Sequence, residues 1–206
     1  HGVVVREALE ARDEIVGAYY EASLGRRRQL VEAHRRREIE ADDLPIDLLT
    51  LVLLEYGDDL DEELWLREAL FFVVASANTT THSTPHVFHE LMTWRDAHPD
   101  ESHLLDDNLA LKHACEEALR LHGPVPALLR RAMRGAQLGD GTAVDGLEDI
   151  ACMLAPANTD SEVFGTNADS YDPRRAEGLS AREAHGLSFG AGAHLCSGRP
   201  LAIGLP

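Results

Sequence analysis

Four groupings in the sequence have the residue types and spacing for chemistry. The densest is Ser188-Phe-Gly-Ala-Gly-Ala-His-Leu-Cys-Ser-Gly-Arg-Pro-Leu-Ala202, where one thiol, Cys196, sits in a loop punctuated by Gly190, Gly192 and Gly198. Glycines take positive φ and admit a close-approaching planar ligand, so this loop can fold back tightly and face one sulfur outward. An axial metal ligand makes that demand. The second grouping, Glu117-Ala-Leu-Arg120, sets opposite charges three apart, a spacing that meets on one helix face. The third, Ala75-Ser-Ala-Asn-Thr-Thr80, puts hydroxyls and an amide directly after an apolar helical run. Buried hydroxyls need partners and can bond back to the preceding turn. The fourth is a row of imidazoles, His82, His86 and His89, at i, i+4 and i+7. His89-Glu90 lacks the second histidine of a zincin motif, and three ligands from one short stretch rarely converge on a tetrahedral ion. Polar helix surface is the plainer reading, with His82 and His86 as weaker candidates to line a pocket.

The elements that must position these groups read as mainly helical. Residues 3–38 read as helix; Gly17 and Gly25 weaken the pattern, and a break near Gly25 would make it two helices. Within them, Arg26-Arg27-Arg28 and Arg35-Arg36-Arg37 form the basic cluster, read as a solvated helix face. Asp42-Asp43-Leu44-Pro45 offers a helix start, and Ile46 to Tyr56 an apolar helix ended by Gly57. A long helix over about 61–96 opens on acids that suit the positive end of its dipole. Its middle, Ala69 to Ala75, is apolar all round and is expected to run through the interior, and Pro85 is expected to kink it. A further helix over 108–122 closes at Gly123-Pro124. Short strands and turns follow to about residue 165, then an irregular meander over 166–187.

The chain has 206 residues, 44% of them hydrophobic, and a net charge of −17. That charge argues against a nucleic-acid footprint and against polybasic attachment to anionic lipid. Cys115, Cys152 and Cys196 make an odd count without paired spacing, so no disulfide framework is expected and a reducing, cytoplasmic setting is. Cys115 and Cys152 read as buried structural thiols. No run of eighteen apolar residues and no signal peptide is visible, so neither a membrane anchor nor export is expected. There are no repeats and no linker-like tract. The organisation expected is one domain over 1–206, helical over 1–122 and built of small β segments, meander and thiol loop over 123–206.

Phe189-Gly190-x-Gly192-x-His194-x-Cys196-x-Gly198 resembles the haem-binding loop of cytochromes P450, with all six fixed positions filled. Glu117-x-x-Arg120, followed by Tyr171-Asp-Pro-Arg-Arg175, is similar to that family's ExxR motif and meander arginine. Ala75 to Thr80 is similar to its distal-helix motif, with Ser76 in place of the usual glycine and Asn78 in place of the usual acid. The resemblance covers about the C-terminal half of the family's usual length. The fold it implies is mainly α with a small β component, P450-like and incomplete at both ends. It implies haem b, iron protoporphyrin IX, with Cys196 as the axial thiolate. His194 and Arg131 would pair with the propionates, and Phe189, Gly190, Gly192, Gly198 and Ala75 would make further cofactor contacts. Glu117, Arg120 and Arg175 would form a structural triad, and Thr79 and Asn78 would hold the catalytic positions, Thr79 as the proton-relaying alcohol and Asn78 ordering water.

The activity implied is monooxygenation of an apolar small molecule, with electrons from a ferredoxin-type donor and its reductase, as in soluble bacterial members used in natural-product metabolism. An amide can order water but does not titrate. Asn78 therefore keeps two other readings open: haem–thiolate chemistry driven by peroxide or redox-neutral, and an auxiliary P450-like protein that does not oxygenate.

Overall fold

In the computed structural model of the chain, residues 2–204 are described, apart from the side chains of Asp58, Ala181 and Arg182. The chain divides into two compact units, His1–Val73 and Val74–Pro206, and the boundary lies inside a helix rather than in a linker. Helices dominate both, with two small antiparallel sheets in the second.

In the first unit, α1 (Gly2–Ile15), a π-helical turn (Val16–Tyr20) and α2 (Glu21–Arg35) run on continuously, with no break at Gly25. A glycine inside a helix costs only about 1 kcal/mol relative to alanine. Burial of Leu24 and Val31 from α2 against Leu53 outweighs that, at roughly 1.5–3 kcal/mol per buried side chain. Helix α3 (Leu48–Tyr56) starts later than the sequence predicts, because Asp47 rather than Asp42 or Asp43 caps it. Asp47 Oδ1 accepts from the Thr50 amide at 2.9 Å, satisfying one of the orphan donors of the first turn. Arg27 Nε donates to Asp47 Oδ2 at 2.6 Å and ties α2 to that cap.

Helix α4 (Glu62–Ala97) crosses the unit boundary and runs on through Pro85, since one lost ladder bond does not end a helix of 36 residues. Asp61 Oδ1 caps it, accepting from the Leu64 amide at 3.0 Å. As expected of a hydroxyl after an apolar run, Thr79 Oγ1 donates back to the Ala75 carbonyl at 2.6 Å. The expectation of an interior position for residues 69–75 does not hold. Phe71 and Val74 are 63% and 59% exposed, because no apolar face of the described chain is laid over them.

The second unit is built around α5 (Asn108–Leu121). Asp107 caps it by accepting from the amides of Leu109 and Ala110, at 3.0 and 2.9 Å. Ala114 and Ala118 are fully buried, and such small residues let neighbouring segments approach the helix closely. Strand β1 (Ala127–Arg131) pairs antiparallel with β4 (Asp149–Met153), placing Leu128 opposite Cys152 and Arg130 opposite Ile150. Between them, β2 (Ala136–Gln137) and β3 (Ala143–Val144) form a short hairpin. Short helices α6 (Leu154–Asn158) and α7 (Ser161–Phe164) lead into the irregular meander, which α8 (Ala181–Ala184) ends. The thiol loop follows, and α9 (Arg199–Ile203) begins three residues after Cys196.

Candidate functional site

Glu117 and Arg120 lie one turn apart on α5, and both are fully buried. Arg120 Nε and Nη2 donate to the two Glu117 oxygens at 2.7 and 2.8 Å, a bidentate pair. Arg175 Nε reaches the same carboxylate at 2.8 Å from the meander. Its remaining guanidinium nitrogens donate to the carbonyls of Phe164 and Asn167, at 2.6 and 2.9 Å. Arg120 Nη1 donates to the carbonyls of Asn158 and Ala168, and its guanidinium lies 4.7 Å from the centre of the Phe164 ring. The structure thus brings the three charges together. Buried charges are tolerable only when each is paired and hydrogen-bonded, and this network meets that condition.

Asn158, which no sequence motif marks, links this network to the thiol loop. Its Nδ2 donates to the Arg120 carbonyl at 3.0 Å and to Ser188 Oγ at 2.9 Å, while its Oδ1 accepts from the Leu187 amide at 2.7 Å. Ser188 Oγ donates to the Leu119 carbonyl at 2.6 Å. The C-terminal turn of α5 is therefore bonded directly to the residues that precede Phe189. Nothing in the sequence signals this, because Asn158 and Ser188 are thirty residues apart.

The loop closes on itself where the Cys196 amide donates to the Phe189 carbonyl at 2.9 Å. Gly190 and Gly192 both sit at φ 70°, a conformation that L side chains rarely adopt, so this turn needs glycine at both. A cavity of about 380 Å³ opens over the loop. Phe189, Gly190, His194 and Cys196 line one wall, and Thr79, Thr80, Ser83, Thr84 and Val87 of α4 line another. Pro124, Val125, Leu128 and Leu154 complete a mostly apolar lining. Few polar groups in an apolar cleft of this size is the usual composition of a cofactor or small-molecule site.

Several expected contacts lie elsewhere. Asn78 is exposed and is not part of the lining, and Ala75 contributes only the carbonyl that Thr79 binds. Gly192 and Gly198 shape the loop without lining the cavity. Arg131 is held at the far side of β1 by Asp149, with Nε and Nη2 donating at 2.7 and 2.9 Å. Alternation along a strand instead puts Arg130 on the face of Leu128, which lines the cavity. The period-2 pattern could have picked Arg130 over Arg131, had the strand's inward face been known.

The histidine row does not line the cavity either. His82 and His86 approach each other with ring centres 5.1 Å apart, and His86 stacks on His122 at 5.0 Å. His122 Nε2 lies 2.6 Å from Glu90 Oε1. The two cysteines read as buried also differ from expectation. Cys152 is exposed on β4, whereas Cys115 is half-buried on α5 and lines the cavity. Burial pushes the Cys115 thiol pKa up, and the neighbouring Glu116 carboxylate adds to this. Among the described residues, no group of three or more His, Cys, Asp or Glu side chains could hold a metal ion.

The family model for cytochrome P450 matches residues 94–204, more than half of the chain. Cytochrome P450 119 of Sulfolobus acidocaldarius is 42% identical over 97 residues, covering 47% of this chain and 24% of that protein. The 6-deoxyerythronolide B hydroxylase of Saccharopolyspora erythraea is 32% identical over 171 residues, covering 82% of this chain and 39% of that protein. In fold, the chain is similar to the crystal structure of CYP109E1 from Bacillus megaterium in complex with testosterone. The TM-score is 0.71 at 22% identity, over 98% of this chain and 50% of that one. The chain thus spans roughly a quarter to two-fifths of these curated relatives and half of that solved structure.

Proposed function

Because this chain belongs to the cytochrome P450 family, we propose that the cavity between α4 and the Cys196 loop holds the haem of a monooxygenase, with both units parts of one P450-type domain. The observation that carries this reading is that Cys196, Phe189 and His194 share one apolar cavity with the hydroxyls of Thr79, Thr80 and Ser83. The donor chemistry fits the group. A lone thiol cannot hold a bare ion, and no three-ligand cluster accompanies it among the described residues, so a metal here must bring its other ligands with it. Iron in a porphyrin, here haem b, does so.

When bound, haem with a thiolate ligand supplies the electron density that favours O–O cleavage, and so the insertion of one oxygen atom of O2 into an apolar substrate. The chain's own residues take the remaining roles. Cys196 is the ligand, held by the closed turn from Phe189 to Cys196. Phe189 lines the cavity beside the thiol, while His194 and Arg130 are the cationic or hydrogen-bonding groups placed for an anionic edge. The Thr79 hydroxyl, bonded to the Ala75 carbonyl in this structure, keeps its lone pairs free to accept a proton-bearing water at the cavity wall. Glu117, Arg120 and Arg175 hold the scaffold and do no chemistry.

Electrons come from a separate ferredoxin-type donor in this reading. A fused reductase is the competing arrangement, as in a bifunctional cytochrome P450/NADPH–P450 reductase of Alternaria alternata, 25% identical over 195 residues. A cytoplasmic setting belongs to this reading; among the described residues no helix is long and apolar enough to cross a membrane. The names of relatives such as 6-deoxyerythronolide B hydroxylase and vitamin D(3) 25-hydroxylase support a bulky, largely apolar substrate.

The deciding experiment is the absorption spectrum of the reduced, haem-supplied protein under carbon monoxide, beside a Cys196→Ser variant. A thiolate-type band lost in the variant is expected; an unchanged band in the variant would sink the assignment. Asn78 favours one second reading, peroxide-driven turnover, because its amide cannot relay a proton as an acid. Asn78→Asp is expected to raise reductase-coupled turnover more than peroxide-driven turnover.

A further inference from the structure

We propose that Arg199 and His185 are positioning residues for the Cys196 loop, closing a ring of contacts that holds Phe189 and the thiol in register. The inference rests on the reading of Cys196 as the haem ligand.

The ring is continuous. The Arg199 amide donates to the Cys196 carbonyl at 3.3 Å, so α9 starts directly from the thiol residue. The Arg199 side chain then turns back, and its Nη1 lies 3.1 Å from His185 Nε2. The His185 ring meets Phe189 edge-on, with centres 4.9 Å apart and planes at 82°. The Phe189 carbonyl accepts from the Cys196 amide and returns to the start. Three of the four links converge on the segment that lines the cavity.

Donor and acceptor roles in this ring are fixed by elimination. A guanidinium only donates, so His185 Nε2 must accept and be unprotonated. The proton therefore sits on Nδ1, which lies 3.1 Å from the Gly186 carbonyl and donates to it. His185 is fully buried, and burial favours its neutral form, as does the adjacent Arg199 charge. An uncompensated cation beside a buried neutral ring would be costly. Arg199 itself is only half-buried, which lessens that cost. Arg199 thus links the thiol residue to His185 at the end of α8.

The test uses the full chain, with and without haem. In the haem-loaded protein, Arg199→Leu is expected to convert at least half of the thiolate-type carbonyl absorption to the thiol type, whereas Arg199→Lys, which keeps a cation and a donor, retains most of it. In the haem-free chain, ring-nitrogen NMR of His185 is expected to show the Nδ1–H tautomer, and Arg199→Leu to change the tautomer balance. A wild-type thiolate fraction in Arg199→Leu, or an Nε2–H tautomer in the parent chain, overturns the proposal. The double variant His185→Phe, Arg199→Leu removes both polar partners while keeping a ring against Phe189. If it loads haem but lacks the thiolate band, the Arg199–His185 bond itself is required; a full thiolate band would refute that requirement. Loss of the haem–thiolate reading shows separately, as a parent chain without a thiolate band whose His185 tautomer still responds to Arg199.

Discussion

Asn158→Ala isolates the link between the buried charge network and the thiol loop. The side chain is 2% exposed and makes three hydrogen bonds, to the Arg120 carbonyl, to Ser188 Oγ and from the Leu187 amide. A typical intramolecular hydrogen bond contributes about 1 kcal/mol net, so the three together are worth about 3 kcal/mol. For a chain of this length each kcal/mol moves the midpoint by roughly 2–4 °C, so a fall in Tm of about 6–12 °C is expected. Calorimetry of the haem-free chain reads this directly, with Asn78→Ala as the control, since an exposed position should shift stability by no more than about 0.5 kcal/mol. Haem retention should fall along with Tm, because Ser188 and Leu187 lead straight into Phe189. A Tm drop of less than about 3 °C would refute the reasoning and show that the α5-to-loop bonds carry little of the fold.

Three further outcomes follow from other parts of the structure. Glu117→Gln removes the charge that two arginines share in a buried setting and is expected to cost about 3–5 kcal/mol, read as a lower denaturant midpoint. The His185 pKa lies below its unfolded value, chiefly through burial, so the unfolded chain binds more protons in acid; its contribution to stability is present above about pH 6.5 and is lost as pH falls through the folded-state pKa. Comparing the acid limb of the stability curve with that of His185→Phe checks this, and the variant's limb should be flatter. Arg130→Ala is expected to weaken haem retention more than Arg131→Ala does, because Arg130 shares the Leu128 face whereas Arg131 is engaged with Asp149. Equal loss in the two variants would undo the strand-face argument.

Much of the site was legible because its chemistry is local. The loop from Phe189 to Gly198 contains its thiol, its glycines and its closing hydrogen bond within ten residues, and the Glu117–Arg120 pair is set by helical spacing alone. Helix limits were nearly as accessible for α4 and α5, where caps and apolar runs agree. The start of α3 was not, because Asp42, Asp43 and Asp47 are all competent caps; Asp43 instead accepts from the Glu40 amide, while Asp47 gains bonds from Thr50 and Arg27. The same holds for β1: alternation put Arg130 and Arg131 on opposite faces, but which face meets the cavity shows only in Leu128 lining it.

The sequence by itself determined which residues could ligate iron, which charges could pair within one helix, and that the chain would be mostly helical. Periodicity, capping and glycine placement act over a few residues, so they are written in the order of the chain. Tertiary structure alone decided that Asn158 joins α5 to Ser188 and that Arg199 turns back to His185, while Arg175 reaching Glu117 across 58 residues was legible only through the family resemblance. These bonds depend on which segments burial brings together, and a buried polar group takes whatever partner that packing delivers.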